Sequence, residues 1–244
     1  MDFVCINTVL IFEYSINKME IKNNYPKIGE GIFLVRDIAK ILNLPTSKIR
    51  RWLNEFWNKR FSNSTYNYSF GDKGNEAVNF YTLIEFITFS ALRNNNISAQ
   101  HIQKFHQYLT TKLKTPFPFA TTKISTDQVS VYYETFNEYV KYDGKNQISL
   151  KKILEPFLLK IDFNQENIAE RYFPLGKDHS IVIDPKHQFG QPTIFGTNIK
   201  VDTIYSLYKA EESKKTISFL YNLTFSQIDD VIAFCGSRPG DIAA

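Results

Sequence analysis

The chain has 244 residues, enough for two small domains. Its 43% hydrophobic and 22% charged residues exclude wholesale disorder and fibrous repeats, while 21 Phe and 14 Tyr point to aromatic-rich packing or an interface. The net charge of +4 is uneven: 15 Lys and Arg stand against 9 Asp and Glu in residues 1–115, 10 against 10 in 116–200, and 4 against 6 in 201–244, the pattern of a polyanion-binding module joined to a partner-binding one.

At the start of the chain, the apolar stretch Phe3–Phe12 is too short to span a bilayer and lacks the basic segment and small-residue cleavage site of a signal peptide. It reads either as an edge strand or as an extension upstream of a start at Met19. Cys5 and Cys235 lie at opposite ends and offer neither zinc spacing nor a disulfide framework, which predicts a reducing compartment, the cytoplasm, and no membrane association.

Val35, Ile38, Ala39 and Leu42 recur at the spacing of one helix face over residues 34–43. Asn43-Leu44-Pro45 breaks that helix, Thr46 is the expected N-cap, and from Ser47 the residues Ile49, Trp52, Leu53 and Phe56 form the buried face of a second helix. Periodicity is lost from Asn58 to Asn79, where Gly71, Gly74 and the alternating Tyr66, Tyr68 and Phe70 predict a hairpin, or wing. A third helix is expected from Thr82 to Arg93, ended by Asn94-Asn95-Asn96, and a fourth after the capping residue Ser98.

Thr115–Thr122, with Pro116 and Pro118, reads as a linker. Helical pieces are expected around Val129–Val140 and Ser149–Lys160. Short strands follow at Arg171–Phe173, Ser180–Ile183, Thr193–Phe195 and Ile199–Val201, set between Pro174, Gly176, Pro185, Gly190, Pro192 and Gly196. The chain then returns to three helices, Asp202–Lys209, Ser213–Tyr221 and Thr224–Phe234. The expected fold class is mainly α with small β elements. Its parts are an N-terminal extension (1–31), a winged helix-turn-helix (32–114), a linker (115–126), a central helical, dimerising region (127–178), and a short β segment with a three-helix bundle (179–244).

A helix-turn-helix reads DNA because its first helix braces the second, whose exposed face enters the major groove. With Ile49, Trp52, Leu53 and Phe56 inward, Ser47, Lys48, Arg50 and Arg51 remain at the exposed N-terminal side of the second helix. Arginine can read guanine with paired hydrogen bonds or clamp a phosphate, and Ser47 suits a phosphate oxygen. Lys59, Arg60 and Lys73 are candidate backbone contacts in the wing.

No catalytic constellation accompanies this pattern, so no enzymatic activity and no cofactor are expected. His101 and His106 are five residues apart and fall on different helix faces, His179 and His187 add no metal-ligand spacing, and the adjacent pairs Glu211-Glu212 and Asp229-Asp230 point their carboxylates apart. No P-loop, dinucleotide fingerprint or nucleophile elbow occurs.

The run Phe33-Leu34-Val35-Arg36-Asp37-Ile38-Ala39-Lys40-Ile41-Leu42-Asn43-Leu44, then Ser47-Lys48-Ile49-Arg50-Arg51-Trp52, an irregular wing, Tyr81–Arg93 and Asn96-Ile97-Ser98 resembles the winged helix-turn-helix of the MerR family. The resemblance implies double-stranded DNA as ligand, with Arg50 and Arg51 at the DNA backbone. It departs from that family after Leu113, where no long dimerising coiled coil or cysteine effector pocket follows.

Farther on, Ser180-Ile181-Val182-Ile183-Asp184-Pro185 and Gly190-Gln191-Pro192-Thr193-Ile194-Phe195-Gly196-Thr197-Asn198-Ile199-Lys200-Val201 resemble a VapB-type antitoxin family. Asn198 stands where that family carries Arg, and His187, Gln188 and Phe189 separate Lys186 from Gly190. From the residues themselves, Gly190 and Gly196 supply positive φ in turns while Ile194, Ile199 and Val201 bury.

Together the two resemblances imply an antitoxin of a type II toxin-antitoxin pair. It would bind its operator as an autorepressing homodimer and neutralise a cognate PIN-like ribonuclease toxin. Tyr205, Tyr208, Phe219 and Tyr221 are the candidate partner-binding aromatics. The alternative is a stand-alone MerR-like regulator that senses an unknown ligand.

Overall fold

The computed structural model describes residues 27, 29–62, 66–121 and 150–236, with side chains from 153 onward in the last stretch. Phe3–Phe12, Met19, Cys5 and the expected helix at Val129–Val140 lie outside the described residues. The chain is mainly helical, with short antiparallel strand pairs.

Strand β1 (Phe33–Leu34) pairs antiparallel with β2 (Ala77–Val78), and Phe70 joins the other side of Ala77 through two backbone hydrogen bonds of 3.0 and 2.9 Å. Gly71, at φ +89°, helps turn the chain back between them. Helix α1 (Val35–Leu42) starts directly after β1, where the Asp37 carboxylate accepts the Leu34 N–H at 3.0 Å. It ends in a left-handed Asn43, and the Leu44 N–H reaches back to the Ala39 carbonyl at 3.0 Å.

Helix α2 (Thr46–Trp52) begins one residue earlier than a Thr46 cap would allow. Pro45 is its first flanking residue: extended at φ −59° and ψ 137°, it offers its carbonyl to the Lys48 and Ile49 N–H groups. Proline suits this place because it has no N–H of its own to satisfy.

The expected break at Asn58 is also displaced. The helix continues without interruption as a π-helix, Leu53–Phe61. Leu53 and Phe56 face inward as the α period predicts, while the wider π register also turns Trp57 and Phe61 into the core, where the α period does not put them. The wider register stacks Trp57 on Phe86 at 3.8 Å between ring centroids and brings Phe56 to 4.9 Å from Phe89.

Helix α3 (Phe80–Asn94) begins two residues before the expected Thr82, because buried Asn79 is its cap, accepting the Thr82 N–H at 3.0 Å. Helix α4 (Ala99–Leu113) is capped by Ser98 as the sequence predicts. The expected linker differs over its described part: Pro118–Ala120 form a short 3-10 turn with Phe119 fully buried, and Tyr68 Oη donates to the Pro116 carbonyl at 2.8 Å. These prolines turn the chain into the core.

Helix α5 (Leu150–Leu158), β3 (Ile161–Phe163) and β4 (Ala169–Tyr172) complete a first core that runs from Phe33 to Ile183. The β3 strand is absent from the sequence reading, since three residues carry no periodicity. A second core gathers β5 (Ile181–Val182) and β6 (Thr193–Ile194) with α6 (Val201–Lys209), α7 (Lys214–Tyr221) and α8 (Phe225–Gly236). Val201, expected at the end of a strand, instead opens α6 and is buried.

Candidate nucleic-acid interface and partner surface

The α1–α2 pair leaves Ser47, Arg50, Arg51, Lys59, Arg60 and Lys73 exposed and Lys48 half-buried, while Ile49 and Trp52 are enclosed. Trp52 lies edge-on to Phe89 of α3 at 4.9 Å, so the helix that bears the basic side chains is fixed against the core. Its cations are held differently. The Lys48 ammonium sits 5.0 Å from the Trp52 ring centre, a cation–π placement that keeps its charge at the surface.

Arg50 Nε lies 4.0 Å from Glu76 Oε2, and the same carboxylate oxygen accepts the Gly74 N–H at 3.0 Å. These contacts bring the turn that carries Lys73 beside α2. Arg60 is turned toward the protein: it lies over Phe56 and donates to Gln103 Oε1 at 3.0 Å, and Gln107 Nε2 donates to its carbonyl. Arg60 therefore ties the π-helix to α4, a role its sequence position did not reveal.

Beneath this face Glu85 and His106 form a fully buried pair, with Glu85 Oε2 and His106 Nε2 2.8 Å apart. Glu85 Oε1 accepts the Phe119 N–H at 2.7 Å. Burial pushes the Glu85 carboxyl above the ordinary carboxylate range, against the opposing pull of His106 and the backbone donors of Phe119 and Ala120. The pair joins α3, α4 and the 118–120 turn. Lone residues in separate helical patterns gave no sequence signal for it.

The C-terminal part docks on β1. Phe189 offers its carbonyl to the Ile32 N–H at 2.9 Å, and Gly190, at φ +86°, approaches Phe33 so closely that an added Cβ would stand 2.4 Å from Phe33 Cζ. Gln188 and Phe189 also take positive φ, so the residues that separate Lys186 from Gly190 make the clasp. A long ion pair of 3.8 Å between exposed Lys40 and Asp202 adds to it.

Of the candidate partner residues, Phe219 is 87% and Tyr208 39% exposed. Tyr205 and Tyr221 are only partly exposed and pack against the second core. Leu220 and Phe225, missed in the sequence, are exposed next to Phe219 in the chain and across the α7–α8 turn. Asp230 anchors this bundle to β5: its Oδ1 meets His179 Nδ1 and its Oδ2 accepts the Ser180 N–H, each at 2.7 Å. Burial raises the Asp230 pKa, but the His179 and Ser180 contacts together outweigh it and hold the carboxyl below its ordinary value.

Among the described residues, no group of His, Cys, Asp and Glu is placed to hold a metal ion, and no helix is long and apolar enough to cross a membrane.

Residues 181–235 match the family model described as "Protein of unknown function (DUF433)". A protein of Mycobacterium tuberculosis (strain ATCC 25618 / H37Rv), named "Putative antitoxin VapB45", is 28% identical over 87 residues, which are 35% of this chain and 36% of that protein. The match thus spans about a third of the relative's length. The crystal structure of Rv2018 from Mycobacterium tuberculosis has the same fold at a TM-score of 0.63 and 17% identity, covering 82% of this chain and 96% of that one. The chain therefore shares its architecture with Rv2018 over most of its length, and about a third of it is similar in sequence to the protein named "Putative antitoxin VapB45".

Proposed function

We propose that the chain is a non-catalytic antitoxin of a type II pair, acting in the cytoplasm, which binds operator DNA through a MerR-like winged helix-turn-helix and holds a PIN-like ribonuclease toxin on its C-terminal bundle. The observation that carries this reading is the likeness of 87 residues of the chain to a protein named "Putative antitoxin VapB45". The braced helix α2 beside the hairpin supplies the DNA half, with Arg50 and Arg51 exposed and Lys73 on the adjoining turn. Phe219, Leu220 and Phe225 supply an apolar surface for a protein partner. A homodimer would match paired operator half-sites.

The test has two parts. Gel shift on the DNA upstream of the chain's own gene should show a complex that Arg50→Ala/Arg51→Ala weakens by at least tenfold, about 1.4 kcal/mol. Undiminished binding removes α2 as the reader. Co-expression with the adjacent open reading frame should give a complex on size exclusion and relieve growth arrest, and failure of both removes the antitoxin role.

The alternative of a ligand-sensing regulator would use the cavity of about 180 Å³ between Tyr81, Leu113, Phe117 and the β3–β4 turn at Glu166 and Ile168. That volume is below the roughly 300 Å³ at which small-molecule sites begin, and the likeness to the protein named "Putative antitoxin VapB45" favours the protein-partner reading.

A further inference from the structure

The stretch from Ala77 to Thr121 contains four Lys and Arg residues and a single acidic residue, Glu85. Glu85 is fully buried against His106, so the surface of α3, α4 and the following turn carries no carboxylate. Such one-sided charge is unusual on a chain whose acidic and basic residues are nearly balanced. It is concentrated on α4. There Gln100, Lys104, Gln107 and Thr111 are exposed at intervals of four, three and four residues, which sets them along one face of the helix, and exposed Lys112 stands at the edge of that face beside Tyr108.

This face joins the proposed DNA-reading helix directly. Arg60, near the end of the π-helix that prolongs α2, donates to Gln103 of α4, and Gln107 of α4 donates back to the Arg60 carbonyl. These bonds fix the face to the same body as Arg50 and Arg51. Over the interval Gln100–Lys112 the stripe is about 18 Å long by the helix rise, the axial length of about five base pairs of duplex. Its chemistry is that of phosphate contact: ammonium groups interleaved with amide and hydroxyl donors, and no carboxylate to repel the ligand.

We propose that the exposed face of α4, centred on Lys104 and Lys112, is a second DNA-contacting surface, which binds the phosphate backbone of the duplex beside the segment read by α2. The proposal rests on the reading of the chain as a DNA-binding protein, but it uses residues that a helix-turn-helix does not require. The occupant is duplex DNA because the face is continuous with the α2 surface through Arg60; the exposed Tyr108 ring beside Lys112 could stack on an unpaired base, and the single-stranded arm of the test separates that case.

Fluorescence anisotropy of the full chain with a labelled 40-base-pair mixed-sequence duplex, over a series of salt concentrations, tests it. Lys104→Gln/Lys112→Gln should weaken binding about five- to fiftyfold at 0.1 M salt and reduce the slope of log K against log salt by nearly two, about 0.9 for each lost phosphate contact. Thermal melting of this variant should stay at the wild-type temperature, since both side chains are exposed. Arg50→Ala/Arg51→Ala is measured beside it.

If Lys104→Gln/Lys112→Gln binds like wild type, the α4 proposal is overturned whatever the arginine variant does. If only the arginine variant is unaffected, the α2 reader fails and the α4 surface stands. Tighter binding of a 40-nucleotide single-stranded RNA or of polyglutamate than of the duplex, lost in the lysine variant, would overturn the assignment to duplex DNA.

Discussion

Glu85 shows how much one buried side chain constrains here. Its carboxyl sits above the ordinary range because of burial, so the folded state favours the protonated acid more than the unfolded chain does. The sign follows: its contribution to stability is greatest below the ordinary carboxylate pKa and declines as pH rises toward the raised folded value. Glu85→Gln removes this titration while keeping an acceptor for the Phe119 N–H. The melting temperature of the variant relative to wild type should therefore climb as pH rises above the ordinary carboxylate value. Glu85→Ala leaves that N–H and His106 unpartnered in a cavity and should cost roughly 2–4 kcal/mol throughout. Thermal denaturation across pH checks both, and a flat difference for Glu85→Gln would refute the assigned sign.

Asp230 behaves in the opposite sense. Burial opposes its ionised form, yet His179 and the Ser180 N–H dominate and lower its pKa. Its stabilisation is thus present above the ordinary carboxylate value and lost as pH falls through the lower folded one. Asp230→Asn should destabilise the chain by about 1–3 kcal/mol at pH 7, the scale of a lost charged hydrogen bond. The gap should narrow in acid. Chemical denaturation at neutral pH and below about pH 4 distinguishes this from a loss of shape alone.

At the scale of elements, the clasp at Gly190 has the closest approach among the described glycines. A β-carbon at that position collides with the Phe33 ring, and φ of +86° disfavours any side chain as well. Gly190→Ala should cost about 2–4 kcal/mol from the combined backbone and overpacking effects. It should also speed hydrogen exchange at the Ile32 amide, which donates to Phe189, more than at amides within α7. Equal acceleration everywhere would mean a global loss of stability with no local clasp.

Elements with a regular apolar period were legible in the sequence. The faces of α1 and α4 and the three C-terminal helices lie where period 3.6 puts them, and the Ser98 cap follows from local hydrogen-bond chemistry. What escaped depends on other periods or on distant partners. The π-helix hides Trp57 and Phe61 from a 3.6 pattern. Phe117 and Phe119 stand among prolines, and only contact with Tyr68, Tyr81 and Phe105 shows that they are core. Arg60 falls among the wing cations by sequence, and only its bond to Gln103 ties it to α4.

Across the whole molecule, the candidate DNA face belongs to the first core and the apolar surface of Phe219, Leu220 and Phe225 to the second. The two cores meet at β5 and at the clasp, so each surface can be altered without dismantling the other. Phe219 is 87% exposed on a short helix, and a charged residue there should shift stability by no more than about 0.5 kcal/mol. At an apolar interface the same charge would be buried unpaired, which costs several kcal/mol. Phe219→Glu/Phe225→Glu should therefore keep wild-type melting and wild-type affinity for duplex DNA while losing co-purification of the co-expressed partner. Arg50→Ala/Arg51→Ala should do the reverse. If Phe219→Glu/Phe225→Glu retains its partner, the proposed partner surface is wrong; if the variant loses DNA binding, the separation of the two faces is wrong and the clasp transmits between them.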